Sequence, residues 1–213
     1  MAAARTFGHV FPSKQAMAEQ VPSLLLTSVG RLTDQKVLLL RHQLPSGLSV
    51  LETLLKALKQ IKPTALFILL GSGDVSIAKS FQALGAKYDN LLFLQGYNEA
   101  LSAALYQHGD LFLMPSSFEP CGISQMLAMR AGQPCLVHGV GGLKDTVEDG
   151  VTGFAFNGNS LDEQAEAFLQ RLMQAIACFE GKTWSKVRAA AMAQRFDWHS
   201  IAEQYRQQLY CKV

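Results

Sequence analysis

The sequence predicts one doubly wound α/β domain, with a mainly parallel sheet of about six strands and helices on both faces. The first observation behind this prediction is alternation, because short apolar runs and helical patterns follow one another every ~20 to 30 residues. The second is that the runs are apolar throughout, as in strands buried on both faces. The third is that the connecting loops are short. Because parallel strands end at one edge of their sheet, successive loops gather there.

In the first half of the chain, apolar runs predict strands at residues 23–30, 65–71 and 90–94. Each strand is followed by a helical pattern. These patterns lie at 48–61, from the GSGD turn to about residue 84, and at 99–107. The first helix carries its apolar side chains on one stripe, formed by Leu51, Leu54, Leu55, Leu58 and Ile61. The GSG turn lacks the complete GxGxxG pattern, which favours a tight strand-to-helix turn over a phosphate loop.

In the second half, strands are predicted at 111–114, 135–138 and 151–156, with a helix at 123–131. Three more helices are expected at 161–179, 184–195 and 198–210. The last has one apolar stripe, which either packs on this domain or docks on a partner domain: Trp198, Ile201, Tyr205 and Leu209. Residues 1–22 have two prolines and little periodicity, which predicts a weakly ordered lead-in before a domain at 23–213.

Composition excludes several classes of protein. The net charge of +2 comes from scattered Lys and Arg, so no nucleic-acid partner is expected. No apolar run approaches the ~20 residues of a membrane span, so no membrane partner is expected either. The cysteines show no metal-ligand spacing and no need for disulfides, and the first residues lack a secretory signal pattern. We expect a cytoplasmic protein, or a plastid one if the source is a plant or alga.

The segment DLFLMPSSFEPCGIS, residues 110–124, is the strongest candidate for a site. Pro115 ends its strand, Glu119 is the single carboxylate of the following loop, and Gly122 opens a new helical pattern. The loop would lie at the carboxyl end of its strand, where parallel α/β sheets bind ligands, beside free N–H groups that favour an anion. Taken alone, the segment is equally compatible with a ligand-binding site and with an ordinary loop in which Glu119 is a solvated acid.

Other loops at the same predicted edge add complementary chemistry. Arg31 and Lys36 follow the first strand, Gly96 and Tyr97 follow the third, and the glycine-rich loop 139–143 follows the fifth. Cations and backbone N–H groups suit a diphosphate, an aromatic face suits a base, and a carboxylate suits sugar hydroxyls. The set predicts a nucleotide sugar as ligand. A dinucleotide-binding dehydrogenase would need a glycine fingerprint after the first strand. The segment at that position, GRLTDQK, is not such a fingerprint.

The segments GRLTDQK, LLGSGD, QGYNE, FEPCG, GGLKDTV and the terminal FDW together resemble the C-terminal half of bacterial-type glycogen and starch synthases. The resemblance covers about residues 23–210. It implies one of two Rossmann-like domains that face a cleft, and no cofactor or metal. The implied reaction is the transfer of glucose, with retention, from ADP-glucose more than UDP-glucose to an α-1,4-glucan acceptor.

The resemblance also implies roles for individual residues. Arg31 and Lys36 would hold the diphosphate and stabilise the charge that develops on it, and Glu119 and Cys121 would contact glucosyl hydroxyls. Tyr97 would stack on the base. Contacts to sugar or nucleotide are further implied for Gly96, Gly122, Ile123, Ser124, Gly141, Gly142 and Leu143. Cys121 has an alternative role as a small buried apolar residue.

Two departures from the family qualify these expectations. The family's QKG is QKV here, so the turn after Lys36 is expected to differ. None of these 213 residues resembles the family's N-terminal domain, which is the expected partner. The isolated chain is therefore expected to bind nucleotide without transferring glucose. Another retaining glycosyltransferase of the same fold, or a non-catalytic nucleotide- or glucan-binding module, are the alternatives.

Overall fold

A computed structural model describes residues 21–210 of the chain, apart from the side chains of Ser200 and Gln204. The described strands are β1 Leu25–Leu32, β2 Leu66–Gly73, β3 Leu91–Gln95, β4 Leu111–Met114, β5 Cys135–His138 and β6 Phe154–Phe156. They form one sheet in the order β3-β2-β1-β4-β5-β6, and every neighbouring pair is parallel. The predicted doubly wound, parallel α/β class is confirmed.

Helices connect the strands and cover both faces of the sheet. They are α1 Asp34–Arg41, α2 Val50–Ile61, α3 Val75–Lys87, α4 Glu99–His108, α5 Ser124–Arg130, α6 Gly141–Thr146, α7 Leu161–Ala177, α8 Lys182–Ala193 and α9 Trp198–Tyr205. A π-helical turn, Arg206–Tyr210, follows α9. Within residues 21–210, no helix combines the length and apolar character that crossing a bilayer requires.

The central strand β4 shows how the two cores are divided. Leu111 and Leu113 lie in one cluster with residues of α2 and α7, whereas Phe112 and Met114 lie in another with residues of α4 and α5. Successive side chains of a strand point to opposite faces, so a continuous apolar run serves both cores. This is why the run had to be apolar at every position.

The order of the strands reverses between β1 and β4. Leu26 pairs with Leu111 and Thr27 with Phe112 across this junction. The carboxylate of Asp110 accepts a hydrogen bond of 2.8 Å from the backbone N–H of Leu25. In open α/β sheets the crevice outside such a reversal is where ligands bind. The loops after β1 and β4 therefore flank the expected binding position.

The structure corrects four sequence-based assignments. β1 continues beyond residue 30, because Arg31 and Leu32 pair with the long strand β2. The predicted basic loop 31–36 instead runs into α1, a short helix with no side-chain cap and an irregular apolar pattern. The loop 139–143 likewise enters a helix, α6. Ile61, predicted on the buried stripe of α2, is 52% exposed because it is the last residue of that helix. The lead-in 1–22 lies almost wholly outside the described residues and stays a prediction.

Glu52 is a buried carboxylate that joins two helices. It completes a capping box at the start of α2, where Ser49 N donates to its Oε2 over 3.0 Å. Lys87 Nζ and Tyr88 Oη, at the end of α3, donate to its Oε1 over 2.7 and 3.1 Å. The hydrogen bond from Lys87 and the N–H of Ser49 lower the pKa of Glu52 to about 2.

Replacing Glu52 with glutamine should lower the free energy of unfolding by about 1–3 kcal/mol near neutral pH. A carboxyl whose pKa is lower in the folded chain stabilises the fold above its unfolded pKa, and that contribution is lost as the pH falls through its folded value. The difference between the two proteins should therefore shrink between pH 4.5 and about 2. Urea unfolding across this range measures it. The exposed Glu166→Gln is the control, and a pH-independent difference would contradict the role given to Glu52.

Candidate functional site

The loop after β4, residues 115–123 and here called the Glu119 loop, is fastened first by β5. Nδ1 of His138 lies 3.0 Å from the carbonyl oxygen of Ser116, so it carries the proton and donates it. The ring stacks on Phe156 with 5.0 Å between centroids. Burial lowers the pKa of His138, which keeps the ring neutral. This contact fixes the beginning of the loop, and no pattern in the sequence pointed to His138.

Helix α1 holds the middle of the loop. Gln35 Nε2 donates to the carbonyl of Phe118 over 2.8 Å, and Ser117 N donates to the carbonyl of Gln35 over 2.8 Å. Lys36 Nζ donates to Oε2 of Glu119, and the two side chains are only 16% and 10% exposed. Burial, followed by the nearby charge of Arg31, lowers the pKa of Lys36. The two predicted cations and the predicted carboxylate are thus neighbours.

Helix α6 presses against the other side of the loop through its two glycines. Gly142 N donates to the carbonyl of Glu119 over 2.9 Å. A Cβ added at Gly142 would lie 2.6 Å from the Cα of Cys121, closer than real Cβ atoms approach. Gly141 has φ +48, in the left-handed region that favours glycine. Only residues without side chains allow these two backbones to lie so close.

A cleft of about 530 Å³ opens beside these loops, over the carboxyl ends of β1, β2 and β3. Four predicted residues line it, namely Arg31, Gly96, Tyr97 and Ser124. Tyr106 of α4, which no sequence motif singled out, also lines it and donates from Oη to Oγ of Ser124 over 3.2 Å. Burial raises the pKa of Tyr106. Another cleft, of about 660 Å³, lies between α2 and the start of β3 and contains none of the predicted residues.

The backbone at the end of the Glu119 loop has a conformation suited to anions. Gly122 has φ +77 and Ile123 has φ −113 and ψ −33, so residues of opposite hand follow each other. Such a pair turns successive N–H groups toward one side and forms a small anion-binding concavity. Within residues 21–210, no hydrogen bond uses the N–H of Gly122 or Ile123.

The remaining predicted residues are Cys121 and Leu143. Cys121 is exposed, so its alternative role as a buried apolar residue is wrong. The side chain of Leu143 is 0% exposed and anchors α6 in the core, and its N–H donates to the carbonyl of Val140 over 3.1 Å. The binding role given to Leu143 stays a prediction. The other assigned roles stay predictions.

The family model described as glycosyl transferases group 1 matches residues 13–177. The chain belongs to the group 1 glycosyl transferases. This glycosyl transferase chain is 36% identical to the glycogen synthase of Geotalea daltonii over 200 residues, which are 91% of the chain and 38% of the relative. It is also 36% identical to the glycogen synthase of Francisella tularensis over 199 residues, or 88% of the chain and 37% of the relative. The predicted resemblance is confirmed, and the chain spans less than half the length of these relatives.

Two solved structures share the fold. The catalytic domain of starch synthase IV from Arabidopsis thaliana, bound to ADP and acarbose, aligns with a TM-score of 0.69 at 29% identity. That alignment covers 89% of this chain and 38% of the other. HepE of Anabaena in complex with UDP aligns with a TM-score of 0.58 at 24% identity, covering 87% of this chain and 48% of the other. The second likeness shows the fold alone.

Proposed function

We propose that this chain is the nucleotide-sugar-binding half of a retaining glycosyltransferase that adds glucose to an α-1,4-glucan. The observation that carries the proposal is the junction of β1 and β4, where Arg31 lines a 530 Å³ cleft and its charge acts on Lys36, which pairs with Glu119. The relatives named glycogen synthase and the starch synthase structure support the same activity.

The diphosphate of the donor is proposed to bind between Arg31 and the N–H groups of Gly122 and Ile123. Arg31 is exposed and makes no ion pair in the described part of the chain, so its guanidinium is available. Lys36 is already paired with Glu119, so it must share its protons between the carboxylate and an arriving phosphate. Preorganised cations of this kind stabilise charge on a leaving diphosphate, a task that magnesium performs in other transferases.

The base is proposed to lie against Tyr97, and the glucosyl unit near Glu119 and Cys121. Tyr97 lines the cleft and is 64% exposed, which leaves a face for stacking. A tyrosine face accepts adenine and uracil alike. We propose ADP-glucose before UDP-glucose because the starch synthase structure, at 29% identity, holds ADP.

The partner of the domain is proposed to be an N-terminal domain of the same enzyme. The apolar stripe of α9 and the following turn is open to solvent, with Trp198 82%, Tyr205 56% and Leu209 63% exposed. A self-contained binding module would be expected to cover or replace such side chains. A cleft enzyme needs a second wall to orient the acceptor and exclude water, so the isolated chain should bind nucleotide without transferring glucose.

Nucleotide binding by this chain tests the proposal directly. Calorimetry with ADP and with UDP should detect binding, and Arg31→Ala should weaken it by about 1.5–3 kcal/mol, the scale of a hydrogen bond to a charged group. The matched control is Arg188→Ala, because Arg188 is an exposed arginine of α8 whose charge acts on Asp110 at the opposite edge of the sheet. Equal affinity in the Arg31 variant and the unaltered chain would remove Arg31 from the site.

A further inference from the structure

Gln125, in the first turn of α5, has a side chain that is 0% exposed and lies behind the Glu119 loop. Its Nε2 lies 3.1 Å from three oxygens, the carbonyls of Cys121 and Gly122 and Oγ1 of Thr146. The hydroxyl of Thr146 donates to the carbonyl of Gly142 over 2.7 Å. Its oxygen is therefore the acceptor in the contact with Nε2 of Gln125. One amide group thus ties the Glu119 loop to α6.

The two carbonyls that Gln125 holds determine where two N–H groups point. No peptide bond in the described chain is cis, and in a trans peptide the C=O and the N–H point in opposite directions. The carbonyl of Cys121 shares its peptide with the N–H of Gly122, and the carbonyl of Gly122 shares its peptide with the N–H of Ile123. Because both carbonyls point inward to Gln125, both N–H groups point away from it, on the side of the loop opposite the buried amide.

The other end of the amide shows that this arrangement has a structural cost. Within residues 21–210, Oε1 of Gln125 is buried and accepts no hydrogen bond. Gly122 has φ +77, a conformation in which a side chain is strained, and a Cβ there would also meet this oxygen, so the loop favours glycine at this position. A buried amide oxygen without a partner destabilises a fold, which offsets part of the stability that the three contacts of Nε2 contribute. What the amide adds in any case is a fixed direction for the two carbonyls.

We propose that Gln125 is a positioning residue that aims the N–H groups of Gly122 and Ile123 at an anionic group of the ligand, the diphosphate of a nucleoside diphosphate. It touches no ligand itself. The inference rests on the proposed function, because the anion is the diphosphate of the proposed donor. It predicts that Gln125 affects recognition of the phosphates and leaves recognition of the nucleoside unaffected.

The test compares ADP with adenosine, and UDP with uridine, in NMR titrations of this chain and of Gln125→Met. Methionine has a similar volume but no donor for the two carbonyls. We expect diphosphate affinity to fall by about tenfold, as for a weakened hydrogen bond to a charged group, while nucleoside affinity stays unchanged. A general structural defect would lower both affinities. A change in the ratio of diphosphate affinity to nucleoside affinity therefore reports on positioning and not on folding.

Two further variants complete the experiment. Gln133→Met is the matched control, because Gln133 is also a buried glutamine, 1% exposed, but bonds to Thr27 away from the site. It should leave the ratio unchanged. Thr146→Val releases the amide from α6 and should lower the ratio by about threefold, which keeps the inference testable if Gln125→Met does not fold. Unaltered ratios in both site variants would overturn this inference alone. Failure of the unaltered chain to bind either diphosphate would overturn it together with the proposed function.

Discussion

Replacing Gly142 with alanine is expected to reduce the affinity of this chain for a nucleoside diphosphate by ~100-fold or more, the combined effect of several displaced contacts. The added Cβ would lie 2.6 to 2.9 Å from backbone atoms of Cys121, which cannot rotate out of the way as a side chain can. The Glu119 loop must therefore shift. Overpacking of this kind costs about 1–3 kcal/mol of stability, and here it also displaces the predicted anion site at Gly122 and Ile123.

Calorimetry with ADP and UDP measures the loss, and thermal unfolding measures stability in parallel. The matched control is Gly85→Ala in α3, where the added Cβ would meet its nearest neighbours at 3.8 and 3.9 Å. Alanine is the better helix former, so this control should preserve binding and raise stability by about 0.5–1 kcal/mol. If Gly142→Ala retains full affinity, close packing of α6 on the loop does not shape the site.

Replacing Glu119 with glutamine is expected to lower glucosyl transfer by ~10² to 10³ in a two-domain enzyme that contains this chain, the usual effect of removing a preorganised polar group. Glutamine preserves the shape of the side chain but removes the charge that pairs with Lys36 and that would accept hydrogen bonds from glucosyl hydroxyls. Nucleotide affinity should remain within about threefold, because the proposed diphosphate contacts lie on other groups. The distinctive result is therefore a large loss of glucosyl transfer with little change in nucleotide affinity.

Extension of glycogen from ADP-glucose and from UDP-glucose measures transfer, and calorimetry measures nucleotide affinity in the same proteins. Residues 1–213 alone, which we expect to be inactive, provide the baseline. Glu166→Gln, an exposed acid in the middle of α7, is the control for loss of one carboxylate. If glucosyl transfer survives Glu119→Gln, the role of the carboxylate is to hold the loop through Lys36. Detectable transfer by residues 1–213 alone would show that a second domain is not needed.

The sequence was sufficient for the sheet and for one side of the cleft. Strands such as β4 and β5 were predictable because a parallel strand buried on both faces needs an uninterrupted apolar run. Arg31, Tyr97 and Ser124 could be placed on one edge because parallel strands share a direction, and all three line the cleft. Periodicity and direction are local properties, and a single sequence displays them.

Contacts between distant segments were not predictable in the same way. Gln125 stands beside FEPCG in the sequence, but its role depends on Thr146 and on the direction of two carbonyls. Leu143 was assigned to the ligand with its glycine neighbours, although an apolar residue after two glycines can equally anchor a helix in the core. Helix α1 escaped prediction because it is eight residues long, and its start at Thr33 lacks a side-chain cap.

The junction between β1 and β4 also has a consequence for how the molecule folds. The N–H of Leu25 and the carboxylate of Asp110, which meet there, are separated by 85 positions in the chain. Contacts this distant in sequence form slowly, whereas β1, β2 and β3 pair over shorter spans. The side of the cleft that Ser124 and Leu127 of α5 supply is therefore added only when the two halves of the sheet join. A nucleotide bound across this junction would bind only to the joined state. Its binding free energy would therefore stabilise the sheet against separation of its two halves.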